Sequence, residues 1–215
     1  IDLNEDQSAE IVTAINQAWF DNIILLFRDQ HLDAERQLDV TSWFGTPGKV
    51  ARPKEFHPKG YDKLPEGIML ISNIRENGEP IGALPDGEMM FHSDTPYREH
   101  PDKATTLYAI EIPSHGGNTK FANCYQAAET LPDDIKAKLA GRKAVHVFEY
   151  GAVTKDGKFD RDNGRWWAQP VFRKHPATGR TALYVSELMT EEIEGLPDDE
   201  SREILDFLFA HQSQE

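Results

Sequence analysis

The pattern of short apolar segments separated by turn signals limits most strongly how this chain can fold. The six segments are residues 22–28, 68–74, 103–113, 143–150, 169–174 and 180–185. Apolar runs of this length between Gly- and Pro-containing stretches are typical of strands. They do not alternate regularly with helices, and no phosphate-binding glycine fingerprint follows a strand, which disfavours a doubly wound parallel sheet. The sequence therefore predicts a mainly β fold with flanking α-helices, arranged as a double-sheet barrel decorated by helices.

Helical periodicity predicts five flanking helices, at residues 6–21, 32–44, 123–130, 133–140 and 196–211. Ser8 lies near the start of the first, and Asp33 is a candidate N-cap of the second. Residues 175–179 are predicted to form the turn of a hairpin. Residues 154–167, which include Trp166 and Trp167, are charged and contain glycine, so we expect a mobile segment there.

Length, charge and cysteine count limit which kinds of protein this can be. The 215 residues carry 37 acidic and 23 basic side chains, a net charge of -14, which argues against nucleic-acid and membrane partners. No apolar run approaches membrane-spanning length, and one cysteine cannot form an internal disulfide, so we expect a cytoplasmic protein. Residues 1–215 are predicted to form a single domain, and a homo-oligomer stays open. Because the chain begins at Ile1, we expect it to be a piece of a longer protein.

Residues 89–97 contain the sequence His92-Ser93-Asp94, in which an imidazole and a carboxylate stand two positions apart. In an extended chain, alternate side chains share a face, so His92 and Asp94 would project together. They would make two thirds of the 2-His-1-carboxylate arrangement that holds non-heme Fe(II). A surface His-x-Asp pair is the alternative, because so short a motif is weak when it stands alone.

Three motifs then occur in one order along the chain: residues 91–94 (Phe-His-Ser-Asp), 116–119 (Gly-Gly-Asn-Thr) and 173–185. Together they resemble the taurine dioxygenase and 2,4-dichlorophenoxyacetate dioxygenase family, whose members depend on Fe(II) and 2-oxoglutarate. Residues 27–30 and 43–45 are also similar to that family's N-terminal region. The family fold is a double-stranded β-helix, or jelly roll, which agrees with the strand-rich prediction.

The resemblance implies roles for particular residues. His92 and Asp94 would be iron ligands, and Thr119 would help to hold the distal carboxylate of 2-oxoglutarate. A third ligand, a histidine, and an arginine that pairs with 2-oxoglutarate would lie beyond Glu215, so we expect the single dioxygenase-like domain to lack its C-terminal part here. The reaction implied is hydroxylation of a small organic substrate by O2, with release of succinate and CO2.

Substrate contacts are predicted less directly. Thr95 and Glu88 match substrate-facing positions of the family, and Glu88 stands where taurine-specific members carry Asn. His57 and Tyr61 lie in an irregular stretch, and loops near a site often contact substrate.

Two other readings remain open. One is another metal enzyme on a similar barrel, a hydrolase or isomerase using zinc or manganese, which would not consume 2-oxoglutarate. The other is a non-catalytic binding module that has lost its metal. His175 is disfavoured as a substitute ligand, since it lies in the turn of the third motif.

Overall fold

The computed structural model describes residues 1–49, 64–83, 89–148, 161–162 and 164–214. They contain five helices and seven strands. The helices are α1 (Ala9–Asn22), α2 (Ala34–Ser42), α3 (Cys124–Thr130), α4 (Asp133–Leu139) and α5 (Asp198–Gln212). The strands are β1 (Arg75–Glu76), β2 (Glu79–Pro80), β3 (Lys143–Phe148), β4 (Arg165–Pro170), β5 (Phe172–Lys174), β6 (Thr181–Leu183) and β7 (Thr190–Ile193).

The chain divides into two compact units. The first comprises Ile1–Gly87 and Lys103–Gly117, and the second comprises Glu88–Asp102 and Asn118–Glu215. The prediction of one domain over residues 1–215 stays a prediction.

The first unit contains α1, α2 and the short β1–β2 hairpin. Ser8 caps α1 by accepting a hydrogen bond from the Ile11 N–H, and Asp33 caps α2 through the Arg36 N–H. These caps satisfy backbone donors that have no partner inside the helix. Asp33 is the N-cap that the sequence predicts, while α1 begins at Ala9, three residues after its predicted start at residue 6. Among the described helices, none is long and apolar enough to cross a membrane.

The second unit is built around three antiparallel strands in the order β4-β3-β7, with the β5–β6 hairpin beside α3. Its hydrophobic core gathers apolar side chains of these strands and of the helices. Buried members are Ala127, Ala128, Leu131, Leu139, Ala144, Val171, Leu183, Val185, Ile193, Ile204, Leu205 and Leu208. Ile204, Leu205 and Leu208, which lie on one side of α5, therefore face the core, as predicted for the closing helix.

Three of the predicted strands are wrong in the described residues. Residues 22–28 and 103–113 form no strand, and residues 68–74 contribute only an isolated bridge between Ile71 and Ala83. Their side chains are not buried on both faces: Ile110 is 80% exposed, and Leu26 and Leu107 are also exposed. Apolar composition and length indicate a strand, but a ladder requires a neighbouring strand to satisfy its backbone groups. In the described part of the chain, no strand pairs with residues 22–28 or 103–113, and residues 68–74 pair only with residues 81–83.

Trp166 and Trp167 are also placed differently from the prediction. Both lie in β4, where they pair with Val147 and His146 of β3. The expectation of a mobile segment is therefore wrong at these two positions, and most of the stretch before them lies outside the described residues. The β5–β6 hairpin around residues 175–179 is confirmed.

Antiparallel sheets with flanking helices are thus present, in agreement with the coarse fold class. The jelly-roll arrangement itself stays a prediction at this level.

Candidate metal centre

His92 and Asp94 come together in the second unit. Nε2 of His92 lies 3.5 Å from Oδ1 of Asp94, and the two side chains are 29% and 47% exposed. Both donors are therefore reachable from solvent and point toward one another. The pair that the sequence predicts is formed.

The other ring nitrogen of His92 is held by the backbone. Nδ1 lies 3.1 Å from the carbonyl oxygen of Met90, which can only accept a hydrogen bond. In the neutral ring, Nδ1 then carries the proton, and the lone pair of Nε2 faces Asp94. Metal-binding histidines usually donate their second nitrogen in this way, which fixes the tautomer and the ring orientation.

The electrostatics of the pair favour positive charge on the imidazole. The hydrogen bond with Asp94 raises the pKa of His92 above its ordinary value. Burial acts in the opposite direction, while the Met90 carbonyl and the charge of Asp94 add to the increase. Protonation of the ring is therefore favoured beside the carboxylate.

The backbone that presents the pair is not a regular strand. No described residue pairs with residues 89–93 in a strand ladder, although the Leu188 N–H donates to the Phe91 carbonyl oxygen at 3.2 Å, and the chain bends at Asp94. Thr95 adopts a positive φ of 53°, and the Arg98 N–H donates to the Thr95 carbonyl oxygen at 3.1 Å. The extended segment through His92 and Asp94 therefore stays a prediction, and a tight turn follows Asp94.

Two donors of this kind suit a ferrous ion. Imidazole nitrogen and carboxylate oxygen are ligands that divalent iron accepts. Bonds of about 2.0–2.2 Å place two neighbouring donors roughly 3 Å apart, close to the observed separation. Within the described residues, no group of three or more His, Cys, Asp or Glu side chains gathers around a common point. The pair therefore fits two of the three positions of the predicted site.

Comparison with known proteins decides the family. The family model described as "Taurine catabolism dioxygenase TauD, TfdA family" matches residues 1–215. The chain belongs to the TauD/TfdA family. This confirms the resemblance drawn from the three motifs.

Several relatives of this TauD/TfdA chain have names that state a cofactor or a product. Pentalenolactone F synthase of Streptomyces avermitilis is 32% identical over 226 residues, which cover 97% of this chain and 71% of that protein. The (S)-phenoxypropionate/alpha-ketoglutarate-dioxygenase of Sphingobium herbicidovorans is 30% identical over 202 residues, covering 89% and 67%. The chain spans 60% of the length of the Streptomyces arenae pentalenolactone F synthase and 52% of a relative from Schizosaccharomyces pombe.

Solved structures agree in fold. A taurine dioxygenase from Burkholderia xenovorans superposes with a TM-score of 0.77 at 25% identity, covering all of this chain and 67% of that one. AAD-2 in complex with Mn(II) and N-oxalylglycine superposes with a TM-score of 0.71 at 22% identity, covering all of this chain and 74% of that one. At that identity the second likeness shows the fold alone.

The remaining predicted site residues of this TauD/TfdA chain are placed as follows. Thr119 is exposed, and no hydrogen bond or ion pair joins it to His92 or Asp94 in the described part of the chain. Thr95 is buried, and its hydroxyl accepts a hydrogen bond from the Asp102 N–H at 2.8 Å. The other three, Glu88, His57 and Tyr61, lie outside the described residues.

Other histidines have structural partners. Nδ1 of His175 accepts from the backbone N–H groups of Ala177 and Thr178, so this ring closes its own turn. Nε2 of His211, in α5, lies 3.0 Å from the Ala127 carbonyl oxygen. The ring thereby ties α5 to α3, a contact that sequence periodicity does not reveal.

Sequence reasoning missed two contributors near the pair. The Met90 carbonyl orients His92, but a backbone group leaves no signal in residue types. Gln169 reaches the turn after Asp94 from β4, yet in the sequence it is only one polar residue within an apolar strand. Neither could be found without the tertiary arrangement.

Proposed function

We propose that this protein is an Fe(II)- and 2-oxoglutarate-dependent dioxygenase that hydroxylates a small organic substrate and releases succinate and CO2. The observation that carries the proposal is the approach of His92 Nε2 to Asp94 Oδ1, with Nδ1 committed to a backbone carbonyl. A donor pair oriented in this way is expected of a metal centre. Membership of the TauD/TfdA family supports the choice of iron.

His92 and Asp94 would bind the ferrous ion on one side. When bound, Fe(II) with 2-oxoglutarate would supply the activation of O2, so the hard chemistry belongs to the cofactors. The residues of this chain would hold these two donors in a fixed orientation. The second histidine ligand and the arginine that the family resemblance implies remain part of the proposal.

Thr119 would donate its hydroxyl to the distal carboxylate of 2-oxoglutarate. Its exposure supports this role, since the hydroxyl is accessible to a ligand. A hydroxyl donor to a carboxylate gives a charge-assisted hydrogen bond, which is stronger than a neutral one. Thr95, Glu88, His57 and Tyr61 are proposed to contact the substrate.

The substrate class stays broad. Relatives are named for pentalenolactone F and for (S)-phenoxypropionate, so similar sequences serve different small organic molecules. Partners would be this substrate and O2, with no nucleic acid and no membrane, which the net charge of -14 supports. We further propose one jelly-roll domain and a cytoplasmic location, with a homo-oligomer left open.

Turnover of 2-oxoglutarate tests the proposal. The full-length protein is incubated with Fe(II), O2 and 2-oxoglutarate, alone and with candidate small organic substrates, and succinate is measured. We expect succinate that rises with a substrate, and its loss in the His92→Ala variant. His175→Ala is the matched control, because that ring closes a turn, and it should keep the activity.

Two outcomes would favour the other readings. A zinc- or manganese-dependent enzyme would bind metal through the same pair without consuming 2-oxoglutarate. A binding module without metal would show neither tight metal binding nor succinate, and either result would contradict the proposal.

A further inference from the structure

Gln169 lies at the end of β4, in the sheet at the centre of the second unit. It is 4% exposed and pairs with Ala144 of β3 in the antiparallel register. A buried amide must find partners for its donor and acceptor atoms, because leaving them unpaired costs free energy. The amide group of Gln169 is therefore expected to be fully hydrogen-bonded.

The orientation of the amide follows from its neighbours. Nη1 of Arg173 lies 3.4 Å from Oε1 of Gln169, and a guanidinium can only donate. The NH2 group is turned to backbone carbonyl oxygens, which can only accept. Its nitrogen lies 2.6 Å from the Arg98 oxygen, 3.4 Å from the Pro96 oxygen and 3.5 Å from the Glu99 oxygen. Donors and acceptors match in this orientation alone.

These carbonyls belong to the turn that begins directly after Asp94. Pro96 is two residues from the carboxylate, and the turn is closed by the Arg98 N–H on the Thr95 carbonyl. The ring of Tyr97 stacks on Phe148 of β3 at 4.7 Å between centroids. The turn is thus attached to the sheet by one amide and one aromatic contact, while Asp94 itself stays half exposed.

We propose that Gln169 is a positioning residue for the metal centre: its amide fixes the turn at residues 95–99 to the sheet and so sets the place of the Asp94 carboxylate. This inference rests on the proposed function. Within the described residues, positions 89–93 pair in no ladder and are held by a backbone hydrogen bond from the Leu188 N–H to the Phe91 carbonyl oxygen, so side-chain contacts of the following turn add to the positioning of the donors. A metal site requires its donors within about 0.5 Å of the productive arrangement, and supporting contacts provide that precision.

Metal affinity and local hydrogen exchange test the inference together. Co(II) is titrated anaerobically into wild type and into Gln169→Met, which keeps the length of the side chain and removes both polar atoms. The Co(II) absorption reports binding through His92 and Asp94 if it is lost in His92→Ala. We expect the Gln169→Met variant to bind Co(II) about 10–100-fold more weakly, the effect typical of groups that orient ligands. Amide exchange within residues 95–102 should rise, while exchange in α5 stays as in wild type.

Two control variants separate positioning from loss of stability. Leu208→Ala removes a fully buried side chain of α5 from a core cluster that includes none of residues 95–99, and it should lower the melting temperature without changing Co(II) affinity by more than about twofold. Gln169→Asn retains the amide but is one methylene shorter, so its affinity should fall between those of wild type and Gln169→Met.

The outcomes can be told apart. Unchanged Co(II) affinity in folded Gln169→Met overturns the inference and leaves the proposed function intact. A loss of affinity in Leu208→Ala equal to that in Gln169→Met also overturns it, because general destabilisation would then explain both. Absence of Co(II) binding in wild type, or binding that survives His92→Ala, refutes the metal centre and the inference with it.

Discussion

The hydroxyl of Thr95 accepts a hydrogen bond from the backbone N–H of Asp102 at 2.8 Å. This contact closes the loop that follows the proposed iron ligands. Thr95 adopts a φ of 53°, a conformation that β-branched residues rarely take. A strained backbone next to a donor pair is consistent with a site that the surrounding structure holds in place.

Removal of this hydroxyl should destabilise the protein. Thr95→Ala leaves the Asp102 N–H without its acceptor, which we expect to lower the free energy of unfolding by about 1–2 kcal/mol. Thr95→Ser keeps the acceptor and should lose much less. Urea denaturation of the three proteins measures the difference, and equal stabilities of the Ala and Ser variants would contradict this role.

Thr119 should matter for 2-oxoglutarate and not for the metal. Thr119→Ala is expected to weaken 2-oxoglutarate binding by roughly tenfold or more, since a hydrogen bond to a charged group contributes about 1.5–3 kcal/mol. Co(II) affinity should stay unchanged, and Thr119→Ser should restore binding. Calorimetric titration with 2-oxoglutarate checks this, and an undiminished affinity of the Ala variant would remove Thr119 from the proposed site.

Cys124 should react slowly with thiol reagents. Burial raises the pKa of its thiol, and this effect outweighs the hydrogen bond from Gln212, which lowers it. The thiolate is the reactive form, so labelling of the folded protein at pH 8 should be at least about tenfold slower than labelling in urea. A rate equal to that in urea would show an accessible, ordinary thiol.

The same burial predicts a pH effect on stability. The folded pKa is raised, so the contribution of Cys124 is complete below the ordinary thiol pKa of 9.0 and is lost as the pH rises through the higher folded value. Between pH 8 and 10, wild type should therefore lose more stability than Cys124→Ala in urea denaturation.

Substitutions at two apolar residues test whether residues 103–113 are exposed, as the structure has them, or buried, as the predicted strand would require. Leu205→Ala empties a fully buried position and should lower the free energy of unfolding by about 2–5 kcal/mol. Ile110→Ser changes a side chain that is 80% exposed, so we expect a change within about 0.5 kcal/mol. A large loss for Ile110→Ser would mean that this side chain is covered in solution.

Local signals in the sequence predicted the helices well. Asp33 caps the helix it was expected to begin, Ser8 caps a helix that starts three residues later than predicted, and Leu205 and Leu208 face the core because helical spacing places them on one side. These features depend on residues close in the chain. The strands at residues 22–28 and 103–113 failed because a strand depends on a distant partner that composition does not specify.

The candidate site likewise contains residues that local sequence predicted and groups that it could not. His92 and Asp94 were found because two residues in one short stretch carry both donors. The Met90 carbonyl and the Gln169 amide were missed, because one is backbone and the other reaches the turn from 71 residues away, at Arg98. Whether a residue orients a site depends on its position in the folded chain, so its amino-acid type alone does not reveal this role.

The binding of Fe(II) with 2-oxoglutarate in the absence of oxygen tests the central claim most directly. Chelation of the ion by 2-oxoglutarate at the His92–Asp94 pair should give a weak visible charge-transfer band in the full-length protein. The account predicts this band in wild type and in His175→Ala, and its loss in His92→Ala. A wild type without the band, or a band that persists in His92→Ala, would contradict it.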